Sequence, residues 1–195
     1  MNRSFAKFIS FIFNPIIVLL VTGFLLTYKT TGDLPGALMW TGYTVLFLAI
    51  ITLFIFYCVY KKIFTDMDVS KREQRPLLFV VGLLVTVVYL VGLLFLGGPA
   101  VLFLITFGVV IGIAFASIIN IYLKASIHVA TISALMLAIV FAYGNSAYGL
   151  LLLIPLVAWS RLKTKRHTLQ ETIVGAILGV VLSLLVYILM KLFLA

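Results

Sequence analysis

The sequence predicts an all-α fold, a polytopic bundle of about six to seven membrane-spanning helices. Of its 195 residues, 65% are hydrophobic and only 10% are charged, whereas ordinary soluble domains carry about 25% charged residues. Residues 76–122 and 125–159 contain no Asp, Glu, Lys or Arg, and about 20 apolar residues suffice for one span. Helices satisfy backbone hydrogen bonds inside lipid, so the long apolar stretches predict helices.

Apolar length and helix breakers divide the chain into predicted spans at residues 8–28, 37–60, 77–97, 100–123, 127–143, 146–160 and 169–194. The breaks at Gly97–Pro99 and Gly144–Ser146 are short and typical of turns, which predicts two antiparallel helical hairpins. Segment 146–160 is short and contains Pro155, which should kink the helix or be accommodated by a neighbour. The count falls to six if one hairpin is re-entrant. We expect a single integral membrane domain over residues 1–195.

The basic residues are distributed unevenly between the two ends of the predicted bundle. The net charge of +9 could indicate a nucleic-acid partner, but the bases flank apolar runs instead of forming an aromatic-interleaved soluble module, so we predict none. With seven spans, polar segments 61–76, 124–128 and 160–171 fall on one face, and only Lys29 and Lys191 remain on the other. By the positive-inside rule we expect an integral protein of the plasma membrane with the polar face cytoplasmic.

The motifs in these polar segments supply several fixed cations, the Ser126 hydroxyl, both histidines and the Glu171 carboxylate, an inventory that suits a phosphate ester. Arginine binds phosphate oxygens in a bidentate manner, one imidazole can attack phosphorus, and another can protonate the leaving oxygen. His167 and Glu171 are four residues apart at the start of the last predicted helix, so they share a face. Glu171 could hold the Nδ1 proton of His167 and leave Nε2 free as a nucleophile.

The order of three motifs resembles the type 2 phosphatidic-acid phosphatase superfamily, over about residues 61–190. The motifs are Lys71-Arg72-Glu73-Gln74-Arg75-Pro76, then Ala125-Ser126-Ile127-His128, then Ser160-Arg161 followed after five residues by His167 and after three more by Glu171. The resemblance implies a membrane hydrolase acting on lipid phosphates or polyprenyl diphosphates, with membrane lipids as its other partners. The family mechanism needs no metal, and we expect no cofactor.

The resemblance also implies roles for individual residues. It makes His167 the nucleophile that forms a phosphohistidine, Glu171 the residue that orients it, and His128 the general acid. The phosphate ligands it implies are Arg75, Ser126 and Arg161, with Lys71 or Arg72 standing in for a family lysine and Lys124 as a further candidate beside Ser126.

The chain departs from the family pattern in three places. Asp68 stands where the family has lysine, Ile127 stands where it has a flexible glycine, and Glu171 replaces the usual Asp. A noncatalytic binder or transporter of anionic lipids, with turnover lost through Asp68 and Ile127, is therefore the competing hypothesis. A phosphotransferase that passes phosphate to an alcohol other than water is a third. The sequence does not select a lipid tail, a headgroup or an oligomeric state.

Other charged residues have simpler interpretations. We expect the remaining bases of these segments to set orientation and meet anionic headgroups; they are Lys61, Lys62, Lys163, Lys165 and Arg166. Asp66 and Asp68 resemble one aspartate-rich metal motif, but no second Asp-rich segment exists in the sequence, so we predict no metal site.

Overall fold

The computed structural model describes residues 2–194 and confirms the all-α prediction, since this part of the chain contains helices and no strand. The helices are α1 (Arg3–Ile12), α2 (Pro15–Thr31), α3 (Leu34–Tyr60), α4 (Arg75–Leu96), α5 (Ala100–Tyr122), α6 (Ile127–Tyr143), α7 (Leu153–Lys163) and α8 (Leu169–Leu194). Short 3-10 helices occupy Arg72–Gln74 and Gly144–Leu152.

The first predicted span is divided into two helices that meet at an angle of 46°. The break has a local cause, because Asn14 caps α2 by accepting a hydrogen bond from the Ile17 N–H at 3.0 Å. Pro15 follows at the first position of α2, where its missing N–H costs no helical hydrogen bond. Helix α1 packs against α7, with Ala6 and Ile9 buried, and so lies beside the third polar segment.

Five helical stretches are long and apolar enough to cross a membrane, which makes the chain an integral membrane protein. They are Leu34–Tyr60, Arg72–Leu96, Ala100–Tyr122, Ile127–Lys163 and Leu169–Leu192, and the bent pair α1 and α2 can form a sixth. Length and composition set this count, and the 37-residue stretch Ile127–Lys163 is longer than one crossing requires.

That 37-residue stretch is a hairpin. Both of its ends lie near the segment before α4, since Ala125 accepts a hydrogen bond from Arg75 and Arg161 is paired with Asp68. The chain turns at Gly144, whose φ of 66° favours glycine, and returns through the 3-10 helix and α7. Pro155 is the third residue of α7, where the N–H has no partner within the α-helix, so the proline removes no hydrogen bond from that helix.

The two ends of the bundle differ in chemistry. The polar segments 61–76, 124–128 and 160–171 lie together at one end, which we call the site end. At the opposite end the Tyr143 hydroxyl donates to the Leu25 carbonyl at 3.0 Å, and Lys29 Nζ lies 5.3 Å from the centre of the Tyr143 ring. One pass between these ends is made by each of the helices α2, α3, α4, α5, α6 and α8. A further pass is made by the 3-10 helix at Gly144–Leu152 together with α7.

Helices α6 and α8 make the most intimate helix contact, and two glycines of α8 permit it. A Cβ atom on Gly175 would lie 2.6 Å from the Ser126 carbonyl oxygen, and one on Gly179 would collide with the Ala130 carbonyl oxygen. Glycines four residues apart allow close backbone approach between membrane helices. This contact fixes the start of α6 against the start of α8 and therefore positions His128 relative to His167.

Candidate active site

A cavity of about 1360 Å³ opens between the helices, and its site end is lined by polar side chains. These include Asp68, Arg75, His128, Arg161 and His167. The structure thus brings residues from all three polar segments to one cavity, with both histidines at the same end of the bundle.

His167 is held by a carboxylate that is itself fixed. His167 Nδ1 lies 2.8 Å from Glu171 Oε2, and the Thr168 N–H donates to the same oxygen at 3.1 Å. The Glu171 N–H donates in return to Thr168 Oγ1 at 3.3 Å. This reciprocal pair is a capping box at the start of α8, and the Thr168-x-x-Glu171 spacing was its signal in the sequence. With the proton on Nδ1, Nε2 of His167 keeps its lone pair.

The His167 imidazole is neutral at pH 7. Burial is the main cause, and the positive charges of Arg161, Lys124 and Arg75, with His128, add to it, so that the pKa of His167 is lowered to about 2. Desolvation and nearby cations both disfavour a protonated imidazole. The side chain is only 3% exposed, which agrees with this direction. A neutral imidazole is the nucleophilic form.

The second polar segment packs against the start of α8 through the backbone of Ser126 and the side chain of Lys124. The Ser126 N–H donates to the Glu171 carbonyl at 3.0 Å, while the buried Ser126 Oγ has no hydrogen-bond partner among the described residues. His128 is buried at the second position of α6. Lys124 Nζ donates to the Arg166 carbonyl at 3.0 Å and lies 3.9 Å from Glu171 Oε2. Neither Lys124 nor Ser126 is among the residues that line the cavity in the described part of the chain, although His128 is.

Ile127, which replaces the flexible glycine of the motif, lies at the first position of α6 and lines the cavity. It also packs against the apolar cluster that contains Phe79 and Ala116. Part of the side chain is therefore accommodated by neighbouring helices.

Two buried arginines differ in how their donors are used. Arg75 Nη1 donates to the Ala125 carbonyl at 2.8 Å and Nε to the Val69 carbonyl at 3.2 Å, so this residue ties the first polar segment to the second. Arg161 Nη2 donates to Asp68 Oδ2 at 2.9 Å, and its Nε is buried with no partner among the described residues. Arg161 thus retains a free donor for an anion.

Asp68 occupies the anion position beside Arg161. Burial raises the pKa of this carboxyl, but the charges of Arg161, His128 and Arg166 outweigh burial and hold the pKa below its usual value. Arg166 lies 3.8 Å from Asp68 Oδ2 through Nε and 3.4 Å from Asp66 Oδ1 through Nη1. Arg166, which we interpreted as a headgroup contact, therefore holds the loop that carries Asp68. A substrate phosphate would compete with a charged carboxylate.

Lys71 and Arg72 are not brought to the cavity. Both side chains are exposed, and Arg72 Nη1 donates to the carbonyls of Ile121 and Tyr122 at 3.2 Å each. Neither residue is among those that line the cavity in the described part of the chain. Lys71 and Arg72 therefore do not take the place of the family lysine, whereas Lys7 and Lys165 do line the cavity.

Helix α1 adds a residue that sequence reasoning missed. Ser10 Oγ lies 3.0 Å from Ser160 Oγ and 3.4 Å from Arg161 Nη1. Its sequence context carried no signal, because residue 10 fell inside a predicted span. Across residues 2–194, no group of three or more His, Cys, Asp or Glu side chains is arranged to hold a metal ion.

Comparison with known proteins gives one match. The family model described as PAP2 superfamily matches residues 120–194. This segment contains α6, α7 and α8, and so includes His128, Arg161 and His167, whereas the loop before α4 lies outside it. No curated protein and no solved structure matches the chain at a significant level.

Proposed function

We propose that the chain is a member of the PAP2 superfamily, whose model matches residues 120–194, and that it is a membrane phosphatase that hydrolyses a lipid-linked phosphate or diphosphate through a phosphohistidine intermediate. The family match indicates a phosphatase-type function in general. The observation that carries the finer proposal is the state of His167. This neutral imidazole is oriented by Glu171 at 2.8 Å and shares a cavity with His128 and Arg161.

In the first step Nε2 of His167 attacks phosphorus, a phosphorus–nitrogen bond forms, and the bond between phosphorus and the leaving oxygen breaks. The positive charge that develops on the His167 ring is stabilised by the Glu171 carboxylate through Nδ1–H. His128 donates a proton to the leaving oxygen. The negative charge of the bound phosphate favours the protonated form of His128 that this donation needs.

In the second step a water molecule attacks the phosphohistidine. His128, now neutral, accepts the proton of this water as the new phosphorus–oxygen bond forms and the phosphorus–nitrogen bond breaks. Inorganic phosphate leaves, and His167 returns to its neutral state.

The negative charge of the transferring phosphoryl group must be stabilised by hydrogen-bond donors that are already in place. This stabilisation is the main source of catalysis in this type of reaction. Arg161 Nε and Ser126 Oγ are buried donors without partners among the described residues, and Arg75 and Lys124 add positive charge nearby. We assign these residues to phosphate binding. Asp68 pairs with Arg161 Nη2 at 2.9 Å, so the phosphate competes with this carboxylate for the guanidinium group. Lys71 and Arg72 have no role in this proposal.

The site end faces the cytoplasm of a plasma membrane in this proposal, because only Lys29 and Lys191 among the Lys and Arg residues belong to the opposite end. The native Cys58 is 1% exposed, so Lys163→Cys introduces a single accessible thiol. We expect a membrane-impermeant maleimide to label this variant in inverted vesicles and not in intact cells. The reverse pattern would place the site outside.

The decisive experiment measures inorganic phosphate released from a panel of lipid monophosphates and diphosphates, in the presence of a chelator, by wild type, His167→Ala and His167→Asn. The asparagine amide can replace Nδ1–H as a donor to Glu171 but supplies no Nε2. We expect both variants to lose more than about a thousandfold in kcat, as removal of a nucleophile does. Lipid-phosphate binding by wild type without phosphate release would instead favour the noncatalytic hypothesis, and phosphate appearing on an added alcohol would favour phosphotransfer.

A further inference from the structure

The cavity that holds the polar site does not end there. It continues between the helices to the opposite end of the bundle, where Thr30, Val101 and Met190 line it. One face of α6 follows its whole length through Ala130, Ala134, Ala138 and Phe141, residues spaced by three or four and therefore on one side of a helix. The volume of about 1360 Å³ exceeds the roughly 300–1,000 Å³ of ordinary small-molecule sites.

Small side chains widen the middle of this cavity. Ala130, Ala134 and Ala138 on α6 share it with Gly108 and Gly112 on α5. Beyond the site end the lining is mostly apolar, and its polar groups are single hydroxyls such as those of Thr131, Ser183 and Tyr187, so the middle and far parts offer no ionic partner to a charged group. An occupant that extends from the site end into this space must be an anion at one end and a hydrocarbon along the rest.

The far part of the cavity is lined by two stacked aromatic rings. Phe141 on α6 and Tyr187 on α8 have ring centres 4.3 Å apart and planes inclined by 28°, and both line the cavity. From His128 to Phe141 the chain advances 13 residues along α6, which corresponds to about 20 Å at 1.5 Å per residue. Along the axis of α6, the distance from His128 to Phe141 of this aromatic pair is therefore about 20 Å.

We propose that the cavity receives the hydrocarbon tail of the lipid phosphate and that the Phe141–Tyr187 pair sets the longest tail that fits. This inference rests on the proposed function for the position of the headgroup. A tail already dissolved in a bilayer gains little from a second apolar environment, so the cavity selects by steric fit. Tails longer than about 20 Å must bend or displace the aromatic pair.

Three variants test this proposal with prenyl monophosphates of increasing length, from geranyl to geranylgeranyl and longer. Phe141→Ala opens the far end, and Ala134→Leu narrows the cavity about 9 Å from His128, six residues along α6. Phe95→Ala is the matched control, because Phe95 is 87% exposed on the outside of α4. All variants are first compared with wild type by thermal unfolding in the same detergent.

For phosphate release, we expect kcat/KM of wild type to fall by roughly tenfold once the tail exceeds the cavity, as overpacking predicts. Phe141→Ala should move this limit to longer tails. Ala134→Leu should move it to shorter tails, and Phe95→Ala should leave it unchanged. The same length profile in wild type, Phe141→Ala and Ala134→Leu would overturn the proposal.

A second readout does not depend on turnover. Geranylgeranyl monophosphate with a diazirine at the end of its tail is bound to wild type and to His167→Asn, photolysed, and the modified peptide is identified by mass spectrometry. We expect modification in the peptides that carry Phe141 and Tyr187. Modification confined to lipid-facing residues such as Phe95 would overturn the tail site, whereas modification at Phe141 with no phosphate release from any lipid would refute the proposed hydrolysis alone.

Discussion

Two regions meet at the site end and bring opposite charges to it. The segment from Lys124 to Glu171 supplies both imidazoles, Arg161 and a carboxylate that orients His167. The loop between α3 and α4 supplies Asp66 and Asp68, which occupy the guanidinium groups of Arg166 and Arg161. The first region carries the groups that a phosphate ester needs, and the second holds an internal anion where that ester would bind.

The two regions also differ in how firmly they are fixed. Helices α6 and α8 touch through backbone atoms at Gly175 and Gly179, so the imidazoles are placed by a rigid contact. The loop is held by side-chain contacts, which are the Arg161–Asp68 pair, in which Arg161 is 4% exposed, and the pairs of Arg166, which is 41% exposed. Only the exposed pairs of Arg166 fall in the class that contributes about 0–1 kcal/mol. In the proposed mechanism, α6 and α8 therefore position the imidazoles, whereas the loop between α3 and α4 controls how a phosphate reaches Arg161. Single substitutions can test the two contributions separately.

The largest effect is expected in the first region, at His128. His128→Asn should lower kcat for a lipid phosphate by about 10²–10⁴-fold, because general acid catalysis is lost. An activated aryl phosphate, whose leaving oxygen needs no proton, should lose much less in the phosphohistidine-forming step. Rapid-quench measurement of that step with both substrates tests this, and an equal loss for the two would mean that His128 acts structurally.

An intermediate effect of opposite sign is expected in the second region. Asp68→Asn removes the charge that competes with the substrate for Arg161, so KM for the lipid phosphate should fall roughly fivefold, the equivalent of about 1 kcal/mol. Steady-state kinetics measure it. Asp33→Asn is the matched control, since Asp33 precedes α3 at the opposite end. A loss of kcat with unchanged KM would show that Asp68 takes part in the chemistry and would remove the contrast between the regions.

The sequence predicted the first region better than it predicted the loop between α3 and α4. Apolar length predicted the helices, and the four-residue spacing predicted the contact of His167 with Glu171, because both are local properties. The reason was different from the predicted one, since His167 lies two residues before α8 and not on it. Asp68 could be noticed only as a departure from a pattern; its pairing with Arg161 spans 93 residues and depends on how the loop folds back. The bend at Asn14 and the contact of Ser10 with Arg161 were missed because the apolar signal continues across α1 and α2.

A small effect is expected for Arg72, which was predicted to bind phosphate. Its guanidinium donates to the Ile121 and Tyr122 carbonyls at the end of α5, away from the cavity lining. Arg72→Ala should change kcat/KM by less than about twofold, within the range of surface substitutions. The parallel change Arg161→Ala should cost far more, because it removes the unpartnered Nε donor from the cavity. A large loss of kcat/KM in Arg72→Ala would mean that the loop rearranges around the substrate.

We expect that His167 does not titrate over the pH range in which a histidine normally does. The chain contains two histidines, so His128→Asn leaves one, whose ¹³Cε1 resonance can be followed in untagged protein. Burial and the nearby positive charges lower the pKa of His167 to about 2, and His128 contributes least to this shift. The ring should therefore stay neutral in His128→Asn as the pH falls from 8 to 5. An exposed histidine would instead titrate near pH 6.5. A midpoint near that pH would show that water reaches His167, and the contrast between a buried, rigid first region and a more exposed loop would then be lost.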